Sequence, residues 1–531
     1  MIKKSTTKRK LSAPVVLLIL DGWGMASKNK GNAIELARKP VFDLLWRTGA
    51  HTKLAAAGRD AGLPSGQAGN SEAGHMNIGA GRVVDQDSVQ ISKSISTGQF
   101  FKNPAFEAAA RHVRKNKSHL HLMGLLANDQ SAHADPDHLW ALIAWARQKK
   151  FDSVFLHLFT DGRDSPPHSA LKLVEALMRG LKNQENKKTG QRSGEWIATI
   201  MGRHYGMDRK KDWANTKLAY EAMVLGKGLT AKSPQQAITQ SYNRQQTDEF
   251  VPPYVIKRGG KPIAKISDND AVIFFNLRSD RARQLAKPFV QAKFNQENPK
   301  SFKRSRFIKN LLFVAMTDFG PDLDSILTAY PAIDLPGTLP MVLGSYRQLY
   351  VAEAEKYAHI TYFFNGGYAD PVAGEDRVMV ASPHTESYDK TPGMAVEAVT
   401  EAVLRKLSDY DFIGINFSIP DMTAHTGNIA ATIKSVEIVD AQLAKLKAAI
   451  IERGGILVIT ADHGNADKML DLQTGEMYTE HTTAPVPFII FDPKSKPRRL
   501  HPDGRLADVA PTILKLINIK PDKHMTGKAL F

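Results

Sequence analysis

Short apolar runs rich in β-branched residues recur along the chain, and each is typical of a buried parallel strand. Outside the middle of the sequence these runs are Val15–Leu20, Phe412–Phe417 and residues 455–460. An aspartate follows each run closely, at the position where open α/β sheets place their ligand sites. The pattern therefore predicts an α/β sheet that carries its chemistry at the carboxyl ends of the strands.

The middle of the sequence repeats the alternation of strand and helix patterns with a different set of polar residues. Its apolar runs predict strands at residues 119–126, 153–159, 195–201 and 271–276. Proline follows a capping residue at Asn103-Pro104 and Asp135-Pro136, a combination that begins a helix. Later in the chain, an apolar stripe from Ile429 to Ile450 predicts a long amphipathic helix that ends at Gly454.

A chain of 531 residues is too long for a single core, so two domains are expected. The change of pattern predicts an α/β sheet domain split in the sequence, residues 1–86 and 326–531, with a second α/β domain, residues 87–325, inserted. The first apolar run is too short for a secretory signal, and no run approaches the length of a membrane span. We therefore expect a soluble, cytoplasmic protein that does not bind membranes.

The amino-acid composition limits the kinds of metal site and of binding partner that the chain can have. The chain has no cysteine, which excludes disulfides and thiolate metal sites. Its net charge of +17 is compatible with nucleic acid, a membrane surface or an anionic substrate. Two basic clusters contribute to this charge, but neither interleaves aromatic residues in a nucleic-acid module, so both are interpreted as solvated surface. They are Lys3, Lys4, Lys8, Arg9 and Lys10, and Lys300, Lys303, Arg304, Arg306 and Lys309.

A glycine-rich stretch at residues 62–81 surrounds Ser71. Its glycines allow close backbone approach to a ligand, as loops that bind phosphate require. Ser71 is predicted to open a helix, whose free N–H groups favour an anion. For a serine taken alone, a simple helix N-cap would be the better interpretation.

Three aspartates and three histidines in the split domain change that interpretation, because they lie at strand ends or on adjacent loops. With a hydroxyl nucleophile, they meet the requirements of a two-metal site for Mn²⁺ or Zn²⁺ that transfers phosphoryl groups. A Ser-His-Asp triad fits poorly, since the G-x-S-x-G motif is absent around Ser71. The set is Asp21, Asp421, Asp462, His425, His463 and His481.

The inserted domain offers cationic residues after its own predicted strands. Arginine binds phosphate and carboxylate through two parallel hydrogen bonds, and its repetition at strand ends predicts a basic pocket for a small, multiply charged anion. The residues are His133, Arg163, Arg203, Arg209, Arg278 and Arg281.

Several motifs together resemble the cofactor-independent phosphoglycerate mutases of the alkaline phosphatase superfamily. They are Asp21-Gly22-Trp23-Gly24, residues 69–77, Pro420-Asp421-Met422 with His425, residues 461–467, and His481-Thr482-Thr483. The resemblance spans nearly the whole chain after about Ala13, and it implies an alkaline-phosphatase-like sheet domain with an inserted α/β domain. It also implies the interconversion of 3-phosphoglycerate and 2-phosphoglycerate without 2,3-bisphosphoglycerate.

The resemblance further implies roles for individual residues. Ser71 would be the catalytic nucleophile that forms a phosphoserine. One of two divalent ions, with Mn²⁺ expected, would be held by Asp421, His425 and His481, and the other by Asp21, Ser71, Asp462 and His463. Substrate would be bound by His133, Arg163, Asp164, Arg203, Arg209, Arg278, Arg281 and Lys356, in a cleft that could close between the two domains and exclude water.

The sequence departs from the family pattern in residues 127–135, which carry an apparent extra residue and Asp135 in place of a second histidine, and at Ser279 in place of a proline. Two alternatives stay open. One is a metal-dependent phosphatase or phosphopentomutase on the same metal core, although a simple hydrolase does not require the large arginine-rich insertion. The other is a nucleic-acid or anionic-surface binding protein, suggested only by charge. We expect a small-molecule substrate, no nucleic-acid partner and a monomer.

Overall fold

The computed structural model describes residues 10–128, 131–183, 194–320, 322–323, 325–332 and 334–531. Some residues with sequence predictions lie outside these ranges. They are Lys3, Lys4, Lys8 and Arg9 of the basic tail, and Asp129 and Gln130 of the loop that departs from the family pattern.

The strands in the described ranges are β1 (Val15–Leu20), β2 (Ala50–Ala55), β3 (Leu120–Leu126), β4 (Val154–Thr160), β5 (Glu195–Gly202), β6 (Leu229–Ala231), β7 (Tyr254–Arg258), β8 (Lys261–Pro262), β9 (Ala271–Phe274), β10 (Leu312–Thr317), β11 (Leu327–Tyr330), β12 (Gln348–Glu353), β13 (Asp376–Val380), β14 (Phe412–Phe417), β15 (Ile456–Thr460), β16 (Val486–Phe491) and β17 (Gly504–Arg505).

The α-helices are α1 (Ala33–Leu36), α2 (Pro40–Thr48), α3 (Ser71–Ala80), α4 (Asp87–Ser96), α5 (Pro104–Asn116), α6 (Pro136–Gln148), α7 (Ala170–Asn183), α8 (Arg203–Gly206), α9 (Trp213–Leu225), α10 (Pro234–Tyr242), α11 (Arg283–Val290), α12 (Phe294–Glu297), α13 (Leu339–Val342), α14 (Val396–Lys406), α15 (Asp421–Ala424), α16 (Ile429–Arg453) and α17 (Val509–Leu516). None of the helices in the described ranges combines the length and apolar character that a membrane crossing needs.

The chain divides into two compact units, each with its own sheet. Unit 1 comprises residues 1–86 and 333–531, and unit 2 comprises residues 87–332. The sequence placed the return to the first domain at residue 326, whereas β11 pairs in parallel with β10 and so keeps residues 327–330 in the sheet of unit 2. The α/β class predicted from the sequence is confirmed, with one sheet in each unit.

The sheet of unit 1 has the strand order β13-β12-β14-β1-β15-β16-β2-β17. The five strands from β13 to β15 are parallel, and β16 is antiparallel to both of its neighbours. The first strand is buried along its whole length, as expected for a central parallel strand covered on both faces. Against this sheet packs α16, which begins after the N-cap Asn428 and ends at Gly454, as the sequence predicted.

The sheet of unit 2 has the strand order β11-β10-β9-β3-β4-β5-β7-β6, with β8 paired to β7. The strands from β11 to β5 are parallel, so their carboxyl ends lie at one edge. The predicted helix starts are confirmed: the side chains of Asn103 and Asp135 cap α5 and α6, and a proline is the first helical residue of each. Asp135, one of the departures from the family pattern, therefore has a capping role.

Candidate active site

Three adjacent parallel strands bring the aspartates of unit 1 together. β1 lies between β14 and β15, with Leu20 opposite Phe417 and Ile19 opposite Thr460. Because the strands end level with one another, the residues that follow them emerge at the same place. Asp21, Asp421 and Asp462 are buried there, each no more than 1% exposed.

Asp421, His425 and His481 form one compact group. Asp421 and His425 are separated by one turn that begins with α15, and the Oδ1 atom of Asp421 lies 3.4 Å from His425 Nε2 and 3.5 Å from His481 Nε2. Each imidazole is oriented through its other nitrogen, because His425 Nδ1 lies 2.9 Å from the Thr479 carbonyl oxygen and His481 Nδ1 lies 2.9 Å from that of Gly69. The two Nε2 atoms lie 3.0 Å from each other and both face Asp421 Oδ1, so all three residues offer ligand atoms within 4.8 Å of one another.

Asp21, Asp462 and His463 form the adjoining part of the cluster. His463 Nε2 lies 3.4 Å from Asp21 Oδ1 and 3.5 Å from Asp462 Oδ2. The ring of His463 also stacks on that of His481, with centroids 3.9 Å apart, which joins the two groups. Within the described residues, Oδ2 of Asp462 is buried and makes no regular hydrogen bond, and it lies 3.2 Å from His75 Nδ1 and 3.5 Å from His463 Nε2.

Ser71 is the first residue of α3, and its hydroxyl lies inside this cluster. The side chain of Asn70, not that of Ser71, caps the helix by accepting from the Ala73 N–H. Ser71 Oγ instead donates to Asp21 Oδ1 over 3.2 Å and lies 2.9 Å from His463 Nε2. The glycines nearby allow α3 to pack closely, since a Cβ at Gly74 would lie 2.5 Å from the Asp462 carbonyl oxygen. The simple N-cap interpretation of Ser71 is thus wrong.

Lys356 is the member of the predicted substrate-binding set that lies in unit 1, where it belongs to the aspartate cluster. Its Nζ atom donates to Asp21 Oδ1 over 2.6 Å, to Asp421 Oδ2 over 2.7 Å and to Ser71 Oγ over 2.8 Å. Lys356 lies in the turn after β12, the neighbour of β14 in the sheet. The positively charged ammonium of Lys356 therefore contacts the predicted nucleophile, Ser71, directly.

The electrostatics of the cluster follow from this crowding of charges. Burial raises the pKa of Asp21 and of Asp421, but Lys356 and the neighbouring histidines outweigh burial and hold both below the ordinary value. Burial lowers the pKa of Lys356. The aspartates Asp21, Asp421 and Asp462 outweigh burial and raise this pKa above its ordinary value, so the ammonium stays protonated. Burial also disfavours the charged form of His463, yet the surrounding aspartates raise its pKa to about 9.

The cationic residues of unit 2 follow four adjacent parallel strands, β9, β3, β4 and β5. Arg203, directly after β5, is 3% exposed and contacts two carboxylates: its Nη1 donates to Asp161 and lies 3.0 Å from Asp164 Oδ2. Asp161 also accepts from the backbone N–H groups of Arg163 and Asp164, both over 3.3 Å. The buried Asp161 thus organises the loop after β4 and the arginine after β5.

The remaining arginines of this cluster are more exposed. Arg209 pairs with Asp280 over 2.8 Å, and Arg163 lies 3.6 Å from Glu249. Within the described residues Arg281 has no carboxylate at salt-bridge distance, and its pKa is lowered by burial and then by three neighbouring arginines, Arg203, Arg209 and Arg163. Arg278, next to this group in the chain, is exposed. Arg281 therefore lies in a positive potential created by its neighbouring arginines.

His133 shares this basic environment. Burial, together with Arg203 and Arg278, lowers its pKa to about 4, against the opposing effect of Asp164 and Asp280. Its side chain is 8% exposed, and Nδ1 has no hydrogen-bond partner among the described residues. At neutral pH this imidazole is uncharged and offers one donor and one acceptor to a ligand.

Sequence reasoning did not single out several buried polar residues that contact these clusters. They are His75, Asn416, Asn465 and Asp467 in unit 1, and Asp161 in unit 2. For Asn416 the sequence did contain a signal, because this residue is a polar side chain inside the otherwise apolar strand β14. In the structure, its Nδ2 donates to Asp21 Oδ2 over 2.8 Å. Asn465 donates to Asp421 Oδ1 over 2.7 Å. The other residues lie within or beside the sequence motifs, and the sequence alone does not distinguish a metal ligand from a residue that orients one.

Fold and site define an α/β protein whose first unit carries an Asp/His cluster of the kind that binds divalent metal ions, with a serine and a lysine inside it. Residues 91–321 match the family profile described as "BPG-independent PGAM N-terminus". The chain belongs to the family of 2,3-bisphosphoglycerate-independent phosphoglycerate mutases, because curated members match it over nearly its full length.

One such relative, from Clostridium novyi, is 44% identical over 526 residues, which cover 98% of this chain and 99% of the relative. Another, from Acetivibrio thermocellus, is 43% identical over 524 residues, covering 97% of this chain and 98% of the relative. Among solved structures, a phosphoglycerate mutase of Leishmania mexicana aligns with a TM-score of 0.74 and 29% identity, covering 99% of this chain and 98% of that one. The resemblance predicted from the motifs is confirmed.

Proposed function

We propose that this chain interconverts 3-phosphoglycerate and 2-phosphoglycerate without 2,3-bisphosphoglycerate, and that Ser71 carries the phosphoryl group between the two positions. The observation that carries the proposal is the location of Ser71 Oγ, within 3.2 Å of Asp21, 2.9 Å of His463 and 2.8 Å of Lys356. A buried hydroxyl in contact with an ammonium can bear negative charge as it attacks phosphorus. Such a glycolytic reaction also supports the cytoplasmic location predicted from the sequence.

The residues present fit two divalent ions, with Mn²⁺ proposed. Carboxylates and imidazoles without thiolates suit Mn²⁺, and the Nε2 atoms of His425 and His481 converge with a carboxylate oxygen of Asp421 within 4.8 Å, as ligands of one ion would. Asp421, His425 and His481 would hold one ion, and Asp21, Ser71, Asp462 and His463 the other. When bound, such ions lower the pKa of a serine hydroxyl and neutralise the charge of the phosphoryl oxygens.

In the proposed cycle, Ser71 loses its hydroxyl proton and Oγ forms a bond to phosphorus, while the bond from phosphorus to the substrate oxygen breaks and that oxygen takes up a proton, which gives phosphoserine and glycerate. The ammonium of Lys356, held protonated by three aspartates, donates to Oγ and offsets its charge during attack. Glycerate then turns, and its other hydroxyl oxygen attacks the phosphoserine, which regenerates Ser71 and completes the isomerisation.

The arginines of unit 2 are proposed to retain glycerate during this turn. A carboxylate and a phosphate both need cationic partners, and the mutual repulsion around Arg281 is relieved by an anion. We propose His133, Arg163, Asp164, Arg203, Arg209, Arg278 and Arg281 for this role. Retention is what separates a mutase from a phosphatase, since escape of glycerate leaves the phosphoserine to react with water.

The deciding experiment is a mutase assay with 3-phosphoglycerate as the sole phosphorylated substrate. Enzyme treated with a chelator should be inactive, and added Mn²⁺ should restore 2-phosphoglycerate formation. Inorganic phosphate is measured in the same samples. Full activity in exhaustively metal-free enzyme would contradict the metal assignment, and phosphate as the main product would favour a phosphatase.

A further inference from the structure

Two buried polar side chains, Asn416 and His75, link Asp21 to Asp462 within the aspartate cluster. Asn416, in β14, donates from Nδ2 to Asp21 Oδ2 over 2.8 Å, and the same nitrogen lies 3.0 Å from His75 Nε2. His75, in α3, has its Nδ1 atom 2.9 Å from the Ser71 carbonyl oxygen and 3.2 Å from Asp462 Oδ2. Both side chains are 0% exposed, so neither can contact solvent.

Chemistry fixes the direction of these hydrogen bonds. The Asp21 carboxylate only accepts, so the amide of Asn416 must present its NH₂ group to it. That NH₂ group also faces His75, so Nε2 of the imidazole must be the unprotonated nitrogen that accepts. The proton of the neutral ring then lies on Nδ1, directed at the Ser71 carbonyl and Asp462 Oδ2.

We propose that Asn416 and His75 are positioning residues, which form a hydrogen-bonded bridge that holds the carboxylates of Asp21 and Asp462 in the orientation a divalent ion requires. The inference rests on the proposed function for the presence of that ion. By holding Oδ2 of Asp21, Asn416 directs Oδ1 towards Ser71 and Lys356. His75 ties the helix that carries Ser71 to the loop that carries Asp462. Groups that orient metal ligands in this way typically contribute about 10–100-fold in metal affinity or activity.

A purely structural role makes a different prediction. A buried pair that only satisfies its own polar atoms would affect the stability of the fold and leave metal affinity unchanged. Asn365 provides a matched comparison in unit 1: it is equally buried, its Nδ2 donates to Glu375 over 2.8 Å, and its Oδ1 lacks a partner among the described residues, as does that of Asn416.

The experiment compares full-length Asn416→Leu and Asn365→Leu. Mn²⁺ binding to metal-free protein is measured by titration calorimetry, and the melting temperature is measured without metal. We expect Asn416→Leu to bind Mn²⁺ about 10–100-fold more weakly than wild type. Asn365→Leu should keep the wild-type Mn²⁺ affinity, even if its melting temperature falls as far as that of Asn416→Leu.

A second pair of variants keeps the test decisive if Asn416→Leu fails to fold. His75→Gln can offer its amide oxygen to Asn416 where Nε2 lies, whereas His75→Ala leaves Asn416 and Asp462 without that partner. The glutamine variant should recover part of the Mn²⁺ affinity lost in the alanine variant. Wild-type affinity in all the foldable bridge variants, or an equal loss in Asn365→Leu, would overturn the bridge. A wild type that binds no Mn²⁺ would overturn the proposed metal site together with it.

Discussion

Two clusters of functional side chains stand at the carboxyl ends of parallel strands, one in each unit. The cluster of unit 1 is anionic, with Asp21, Asp421 and Asp462 almost fully buried around Ser71 and Lys356. That of unit 2 is cationic, and among its arginines only Arg203 is buried, whereas the side chain of Arg209 is 55% exposed. One sheet edge thus carries buried carboxylates and imidazoles, and the other carries positive charges that are mostly open to solvent.

One histidine in each cluster shows how strongly these environments differ. Both are buried, which disfavours the charged imidazole. Even so, the aspartates raise the pKa of His463 to about 9, whereas burial and then Arg203 lower that of His133 to about 4. The comparison predicts that substitutions in the buried anionic cluster affect the chemical step, and that substitutions in the cationic cluster affect how tightly an anion is held.

The largest effect is expected from Ser71→Ala. Removal of the nucleophile should reduce mutase turnover by several orders of magnitude, as loss of a nucleophile does in other covalent mechanisms. The fold should persist, because the helix is capped by Asn70 and not by Ser71. Turnover and phosphoserine formation from 3-phosphoglycerate are measured. The control is Ser65→Ala, an exposed serine of the loop before α3, and substantial activity in Ser71→Ala would refute the assignment.

A smaller effect is expected from Arg281→Ala. This substitution removes a charged hydrogen-bonding group worth about 1.5–3 kcal/mol, or roughly ten- to a hundredfold in retention of glycerate. Mutase turnover should fall, and more turnovers should release inorganic phosphate. The measurement is phosphate released per 2-phosphoglycerate formed, with the exposed Arg111→Ala as control. An unchanged ratio with unchanged activity would show that Arg281 does not hold the intermediate.

The sequence predicted some members of these clusters and not others, depending on the role of each residue. The ends of β1, β14 and β15 were predictable because a buried parallel strand leaves an uninterrupted apolar run before its aspartate. Lys356 could be named only through the family resemblance, since its environment is created by Asp21 and Asp421 from distant parts of the chain. The register of neighbouring strands, which brings those residues together, leaves no local signal.

Asn416 and Asp161, which orient other side chains, could not be identified from the sequence for a related reason. A buried asparagine or aspartate is recognisable only through its partner, and the partners of Asn416 and Asp161 directly follow other strands, β1 and β5. The boundary of unit 2 was misplaced by a few residues because β11 is short and half-exposed, so that its pattern does not stand out before its pairing with β10 is known.

The low pKa of His133 predicts that unit 2 contributes to the acid sensitivity of the protein. His133 has a pKa of about 4 in the folded protein and near its ordinary value of 6.5 when unfolded. The unfolded state therefore binds the extra proton, so the stability due to neutral His133 is full above pH 6.5 and is lost as pH falls towards 4. Between pH 7 and 5.5 the loss is about 1 kcal/mol.

The measurement is the free energy of unfolding by denaturant at several pH values for wild type and His133→Gln. The variant should lose less stability than wild type between pH 7 and 5.5. His51→Gln, which changes an exposed histidine of unit 1, is the control. Equal slopes for wild type and His133→Gln would show that folding does not lower the pKa of His133.

The smallest effect is expected from Asp280→Asn, which tests whether the positive charge of unit 2 acts on an anion as a whole. Asp280 pairs with Arg209 on the surface, where the two side chains are 38% and 55% exposed. Such exposed pairs contribute about 0–1 kcal/mol, so the free energy of unfolding should change by less than that. The carboxylate also opposes the repulsion among the arginines, since it raises the pKa of Arg281.

Its removal should therefore increase the positive potential felt by a bound anion, and KM for 3-phosphoglycerate should fall a few-fold at low salt. Exposed charges are screened over about 8 Å at physiological ionic strength, so the difference from wild type should shrink as salt is added. The Mn²⁺ affinity of the anionic cluster should not change, because its carboxylates and imidazoles belong to unit 1. A rise in KM that persists at high salt would mean that Asp280 acts by orienting Arg209, and that the geometry of single arginines, more than their summed charge, governs anion binding in unit 2.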